Sequence, residues 1–188
     1  MMEVTPGWER SLRALEQSYP HGAAVPRDDN FGIALLSRVP GTSIRFIYAA
    51  DTGLPIVVAD LELEGKPLRI IGAHPLPPMN RRAQAARDEE LRYVARQAAG
   101  GGMPVAALGD FNTTPWSPSF GELLRLGGLR DGRKGHGLKA TWPCFFPPLL
   151  IPIDHCVVSG QVGVSSFEVG PDIGSDHYPI IVELALKR

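Results

Sequence analysis

A surplus of charge is the first thing this sequence lacks. A formal net charge of −1 over 188 residues argues against a polybasic scaffold that holds nucleic acid by bulk electrostatics, while leaving room for a local basic patch. Cysteine is scarce too. Cys144 and Cys156 are too few for a disulfide framework, and no C-x-x-C spacing points to zinc. No apolar run is long enough to cross a bilayer, and the start, MMEVTPGWERS, has neither the basic nor the apolar region of a signal peptide. There are no internal repeats, and nothing suggests a nucleotide cofactor or a redox centre. What is present is an ordinary globular composition, 44% hydrophobic and 21% charged, of a length suited to one domain over residues 1–188.

The most informative stretch is PVAALGDFNTTPWS, Pro104 to Ser117. Val105 to Leu108 reads as a buried strand, Gly109 breaks it, and Asp110 and Asn112 follow two residues apart, facing the same side. Oxygen ligands at the rim of a sheet suit a hard cation such as magnesium, or a phosphate held through one. The alternative is a strand-to-turn junction in which Asp and Asn only cap backbone groups.

Several other apolar runs also close on a polar residue. Strand-like text runs through FGIALLSR, IRFIYAA (Ile44–Ala50), PIVVADLEL and PLRIIGAH, read as consecutive antiparallel strands with EGKP as a hairpin turn. The last of them ends on His74, read either as a satisfied structural histidine or, by analogy with Asp110, as a site residue. Trp8 to Tyr19 has helical spacing, and Arg81 to Ala99 is an amphipathic helix ended by Gly100 to Gly102. Ser117 to Leu126 forms a second such helix with Ser117 as N-cap. GGLRDGRKGHGLK reads as a mobile, solvated loop, with contact between phosphates and Arg130, Arg133 or Lys134 as the less favoured reading. The apolar loop CFFPPLLIPI is expected to pack beneath the sheet, the alternative being a lipid-facing or partner-facing patch. IPIDHCVVS carries Asp154 in a strand, where a carboxylate can orient a histidine. Asp176 and His177 sit at the mouth of the closing strand. Glu3 to Pro6 reads as the end of a strand and its exit turn, which implies a segment upstream.

GDFN, the strand-borne IDH and the terminal SDHYP, in that order with His74 upstream, resemble the endonuclease/exonuclease/phosphatase superfamily, over Glu3 to about Leu184. The resemblance implies an α+β fold, a two-layer β-sandwich flanked by helices as in deoxyribonuclease I. It implies a divalent-metal-dependent phosphoesterase, nuclease-like, using Mg2+ or Mn2+. Glu3 would hold the metal and Asp176 would be a second carboxylate on the metal side. Asp110 would orient or deprotonate the attacking water, and Asn112 would hold the scissile phosphate or the metal. His177 would bind the phosphate with Asp154 hydrogen-bonded to it, and His74 would be a further phosphate contact or acid. Asn30 would approach the substrate. Trp142 would do the same, unless it packs under its loop. Members of the superfamily begin with an asparagine-bearing strand that is absent here, so the expectation is a domain truncated at its N-terminus, with unpaired strand edges that favour dimerisation. The alternative is a catalytically impaired member that binds a phosphate ligand or a protein. The substrate class is a phosphate ester, nucleic acid included. HPLPPMNRRAQAARDEELRYVA resembles a bacterial subgroup whose full-length proteins often carry membrane-spanning helices ahead of this domain.

Overall fold

The computed structural model describes residues 1–49 and 52–187. Apolar runs rich in Val, Ile and Ala build its centre, a six-stranded sheet. Its strands are β3 (Ser43–Tyr48), β4 (Pro55–Leu63), β5 (Lys66–Gly72), β6 (Val105–Asp110), β7 (Leu129–Asp131) and β8 (Asp154–Ser159). They lie side by side in the order β3-β4-β5-β6-β8-β7. Two further pairs are separate two-stranded sheets: β1 (His21–Val25) with β2 (Ile33–Ser37), and β9 (Val162–Val169) with β10 (Ile180–Leu186).

The helices are α1 (Pro6–Leu12), α2 (Arg81–Ala99) and α3 (Pro118–Gly127). One face of the central sheet packs on α2 and α3, through Ile56, Ile71, Leu91, Val94, Phe111, Phe120 and Leu123. The other face packs on β9–β10 through Leu68, Val158, Val162 and Phe167, and β2 reaches β4 beside them. Val4, Leu12 and Ala34 form a third cluster that seats α1 on the outside of β1–β2. The result is the expected sandwich flanked by helices, α2 and α3 on the central sheet and α1 on β1–β2.

Local chemistry explains the boundaries. Asn80 caps α2 by accepting from Ala83 N at 2.9 Å. Ser117 holds the N-cap position of α3, but its hydroxyl bonds Ser119 Oγ at 2.8 Å instead of a backbone amide, and Pro118 supplies the helical start. The first helix begins earlier and ends sooner than its spacing suggests. Thr5 and Pro6 start it, a 3-10 turn over Arg13–Leu15 follows, and Pro20 disfavours a helical residue before it.

Four expectations are corrected. FGIALLSR does not join a four-strand antiparallel run. Its strand, β2, pairs with β1, whose Gly22, Ala23 and Ala24 carry almost no strand propensity of their own. The strand expected over Ile44–Ala50 ends at Tyr48, and Ala50 lies outside the described residues. The loop GGLRDGRKGHGLK contains β7. Its Arg130 donates to Val162 O at 2.8 Å, and Arg133 is buried in a bidentate pair with Asp131, so neither guanidinium is free for phosphate. Most of CFFPPLLIPI does not pack beneath the sheet. An antiparallel bridge between Trp142 and Ile151 holds Phe145 to Leu149 out in solvent, and only Pro152 and Ile153 at the end of the run are buried. The strand β9 had no separate place in the sequence reading.

Candidate active site

Register gathers the polar strand ends. Strands β5 and β6 are parallel with Gly72 opposite Leu108, so His74 and Asp110, each two residues further on, emerge side by side. Strand β8 runs antiparallel to β6 with Asp154 directly opposite Asp110. The tight approach at Gly109 is what allows this. At φ +147 its backbone suits glycine, and a Cβ there would collide with the Ala73 carbonyl oxygen. His177 enters from the loop ahead of β10 and completes the cluster.

Three imidazole-to-carboxylate distances define the arrangement. His177 Nδ1 lies 2.8 Å from Asp154 Oδ2, and its Nε2 lies 3.8 Å from Asp110 Oδ2. His74 Nε2 lies 3.5 Å from the same Asp110 oxygen. Burial disfavours the His177 imidazolium, but it is outweighed by the hydrogen bond to Asp154 and by the negative charges of Asp154, Asp110 and Asp176. Together they push the group up to about 9. His74 stacks at a tilt on Phe31, and its Nδ1 is buried without a hydrogen-bond partner among the described residues.

GDFN forms the capping turn and also leaves a carboxylate oxygen facing the histidines. Asp110 Oδ1 accepts from Asn112 N at 2.8 Å, a capping turn, while Oδ2 faces the two histidines. Asn112 sits at φ +47, a left-handed conformation that Asn tolerates, and its amide donates to Pro75 O at 2.9 Å, which turns the side-chain oxygen elsewhere. Glu3 and Asn30, at φ +58 and +65, are also left-handed. All three line one cavity of about 660 Å³, so the less common backbone conformations concentrate there.

Of the nine expected site residues, seven line this cavity: Glu3, Asn30, His74, Asp110, Asn112, Trp142 and His177. Asp154 stands behind His177 as its partner. Asp176 is not on the wall; its Oδ2 accepts from Trp142 Nε1 at 3.1 Å, and this bond holds the indole at the mouth. Trp142 therefore lines the opening and is not packed under its loop. The Glu3 carboxylate is exposed and makes no hydrogen bond among the described residues. Among the described residues no three Asp, Glu, His or Cys side chains cluster as a metal cage. Magnesium does not require one, because it keeps several waters and takes one or two carboxylates. Glu3, with the oxygens of Asp110 and Asn112 on the same wall, is a donor set of that kind.

The sequence reading missed Arg87. It lies on α2, is buried, lines the cavity and donates through Nη1 to Asn112 O at 2.8 Å, with Asp88 balancing its charge. The spacing Arg87, Leu91, Val94, Ala98 places it on the inward face, a signal that was present in the periodicity. His155, next to Asp154, is structural. It is sandwiched by Phe111 and Phe120, and its Nε2 meets Thr113 O at 2.7 Å. Burial and the Arg133 charge hold it down to about 4, so it is neutral.

The family model for the endonuclease/exonuclease/phosphatase family matches residues 1–177. Among solved structures, a humanized D. rerio TDP2 shares 18% identity at a TM-score of 0.79, covering 98% of this chain and 83% of that one. The endonuclease/exonuclease/phosphatase from Bacteroides vulgatus shares 21% identity at 0.77, covering 100% and 84%. A D. rerio TDP2 complexed with single strand DNA product shares 17% at 0.76, covering 98% and 84%. At these identities the likeness is one of fold. No curated protein matches the chain significantly.

Proposed function

The chain belongs to the endonuclease/exonuclease/phosphatase family, and on that premise we propose that it is a divalent-metal-dependent phosphoesterase, nuclease-like in its handling of a phosphodiester. The observation that carries this reading is the His177–Asp154 pair beside Asp110 at the wall of one cavity. A phosphodiester is anionic and resists attack, so its hydrolysis needs positive charge on the phosphoryl oxygens and a base to prepare water.

The His177 imidazolium, kept charged by Asp154, supplies a proton donor toward a phosphoryl oxygen. Asp110 is the carboxylate placed to orient and deprotonate water, and Asn112, fixed by Pro75 and Arg87, holds the phosphate. His74 is a second donor toward the same anion, and Asn30 contributes from elsewhere in the cavity lining. Glu3 is the carboxylate proposed to hold Mg2+ or Mn2+, which when bound neutralises phosphoryl charge. Asp176 acts through Trp142 in this reading, as a positioning residue at the mouth. In the reaction, water adds to phosphorus, one P–O ester bond breaks, and the departing alcohol leaves with a proton.

The direct test is hydrolysis of bis-p-nitrophenyl phosphate with magnesium, manganese or chelator. Metal-dependent turnover that is lost in both Asp110→Ala and His177→Ala supports the enzyme. Metal binding without turnover would support the binding-module reading instead.

A further inference from the structure

The rim of this cavity is unusually apolar for a phosphate site. Between the two wall residues Trp142 and Ile151 run eight residues, PCFFPPLL, with no charged side chain. Phe145, Phe146 and Leu149 are 74%, 49% and 62% exposed at its tip. The loop is built to leave water cheaply. Pro143, Pro147 and Pro148 have no N–H, and the amides of Cys144, Phe146, Leu149 and Leu150 donate to carbonyls of Asp176, Pro143, Phe146 and Pro147, which leaves Phe145 N–H as the one amide of the loop without a backbone partner among the described residues. The bond from Cys144 ties it to the neighbouring loop that carries the exposed Ile173. Exposed Met79 lines the same cavity after Pro77 and Pro78.

Charge separates the possible occupants. From Ala140 to Leu186 there is no Lys or Arg; of the acids in that span Glu168 is paired with Lys139 and Asp154 with His177, while Asp172, Asp176 and Glu183 have no cationic partner among the described residues. A nucleic-acid track over this rim would need cations to neutralise successive phosphates, and an anionic bilayer would be repelled. On the Met79 side the next cations are Arg81 and Arg82, in the first turn of α2. Exposed apolar patches of this kind mark interaction surfaces, and an uncharged apolar tip with all but one of its amides bonded suits the boundary between headgroups and acyl chains.

We propose that the Trp142–Ile151 loop docks this rim on a lipid bilayer of low surface charge and that the site takes a phosphoester carried by a lipid headgroup. The substrate half of this proposal rests on the phosphoesterase reading above; the docking half does not.

The test measures co-sedimentation with phosphatidylcholine vesicles, with phosphatidylserine vesicles, and binding of a labelled single-stranded oligonucleotide, alongside hydrolysis of bis-p-nitrophenyl phosphate and of the phosphoester of the vesicle lipid. Vesicle binding with hydrolysis of the soluble ester alone overturns the substrate half. The expected result is binding to phosphatidylcholine, weaker binding to phosphatidylserine, and a roughly tenfold or greater loss of vesicle binding in Phe145→Asp combined with Leu149→Asp. Neither residue lines the cavity, so hydrolysis of the soluble ester is unchanged. Phe145→Leu, which keeps the loop apolar, retains vesicle binding and guards against misfolding of the charged variant. Hydrolysis of the soluble ester without vesicle binding overturns the proposal. So does oligonucleotide binding or self-association that the charged variant abolishes in the absence of vesicle binding. Vesicle binding with no hydrolysis of any ester overturns the substrate half and the phosphoesterase reading together, leaving a lipid-binding module.

Discussion

Replacing Asp154 with asparagine tests the electrostatics of the site most directly. In the native chain, His177 rises from its ordinary 6.5 to about 9. That difference corresponds to about 3 kcal/mol favouring the imidazolium, with the side chain only 21% exposed. Because the folded-state value is raised, this stabilisation is fully present below pH 6.5 and is lost as pH climbs through about 9. The Asp154→Asn variant keeps the side-chain volume and removes both the hydrogen bond to a carboxylate and its charge. Burial, which lowers the value, would then be opposed only by Asp110 and Asp176, so His177 should titrate well below its native position. If it returns to its ordinary value, the charged fraction at pH 7.5 falls from nearly all to about one tenth, a loss of roughly tenfold in the competent form. NMR titration of the His177 ring nitrogens reads the value itself. The pH profile of bis-p-nitrophenyl phosphate hydrolysis should show its alkaline limb moving from near 9 toward neutrality. Thermal melts of the native chain should fall between pH 6.5 and 9 by more than those of Asp154→Asn. A native His177 that titrates at its ordinary value, or a variant that leaves it unmoved, would refute the reasoning.

Four other outcomes follow from the geometry. Glu3→Gln should raise the magnesium concentration needed for half-maximal hydrolysis while leaving the melting temperature nearly unchanged, since the carboxylate is exposed and bonds nothing among the described residues. Arg87→Met should lower kcat with the fold intact, because Asn112 O loses its donor, and Arg87→Lys should not restore it, since the fork reaches Asn112, Asp88 and Ser119 together. Gly109→Ala should destabilise by about 2–4 kcal/mol in urea unfolding, because a Cβ meets the Ala73 carbonyl and β5 and β6 must separate. The open edges of the two separate strand pairs should give concentration-dependent self-association in sedimentation velocity, with Ile181→Lys on the outward face of β10 reducing it.

The parts of the site that were legible in the sequence share a physical cause. A buried strand is apolar because both its faces are covered, so a single Asp or His at its end stands out from the run before it. VAALGD and RIIGAH announce Asp110 and His74 in this way, and the parallel register of β5 and β6 then brings them together. The illegible parts fail for the complementary reason. Strand β1, with Gly22 and two alanines, is a strand only because β2 offers it a ladder, and no local preference records that. Arg130 and Arg133 look like solvated cations in a glycine-rich run until β8 and β9 bring Val162 and Asp131 to them. Arg87 was hidden by its own charge, though its period was correct.

The apolar loop after Trp142 shows how such a misreading carries functional information. Composition alone favours burial for CFFPPLL, since exposing Phe145, Phe146 and Leu149 forgoes roughly 1.5–3 kcal/mol of transfer free energy for each side chain. The fold could have covered them, yet the Trp142–Ile151 bridge and three prolines hold them out, and the same bridge places both its residues on the cavity wall. A segment that bears this cost beside the Asp110, Asp154 and His177 cluster is tied to the cluster by geometry, because moving the loop moves Trp142, and Trp142 is bonded to Asp176, the neighbour of His177. Occupation of the loop tip and occupation of the site should therefore be coupled. Vesicles that engage Phe145 should change the pH at which His177 titrates, an effect that the Phe145→Asp, Leu149→Asp chain should not show.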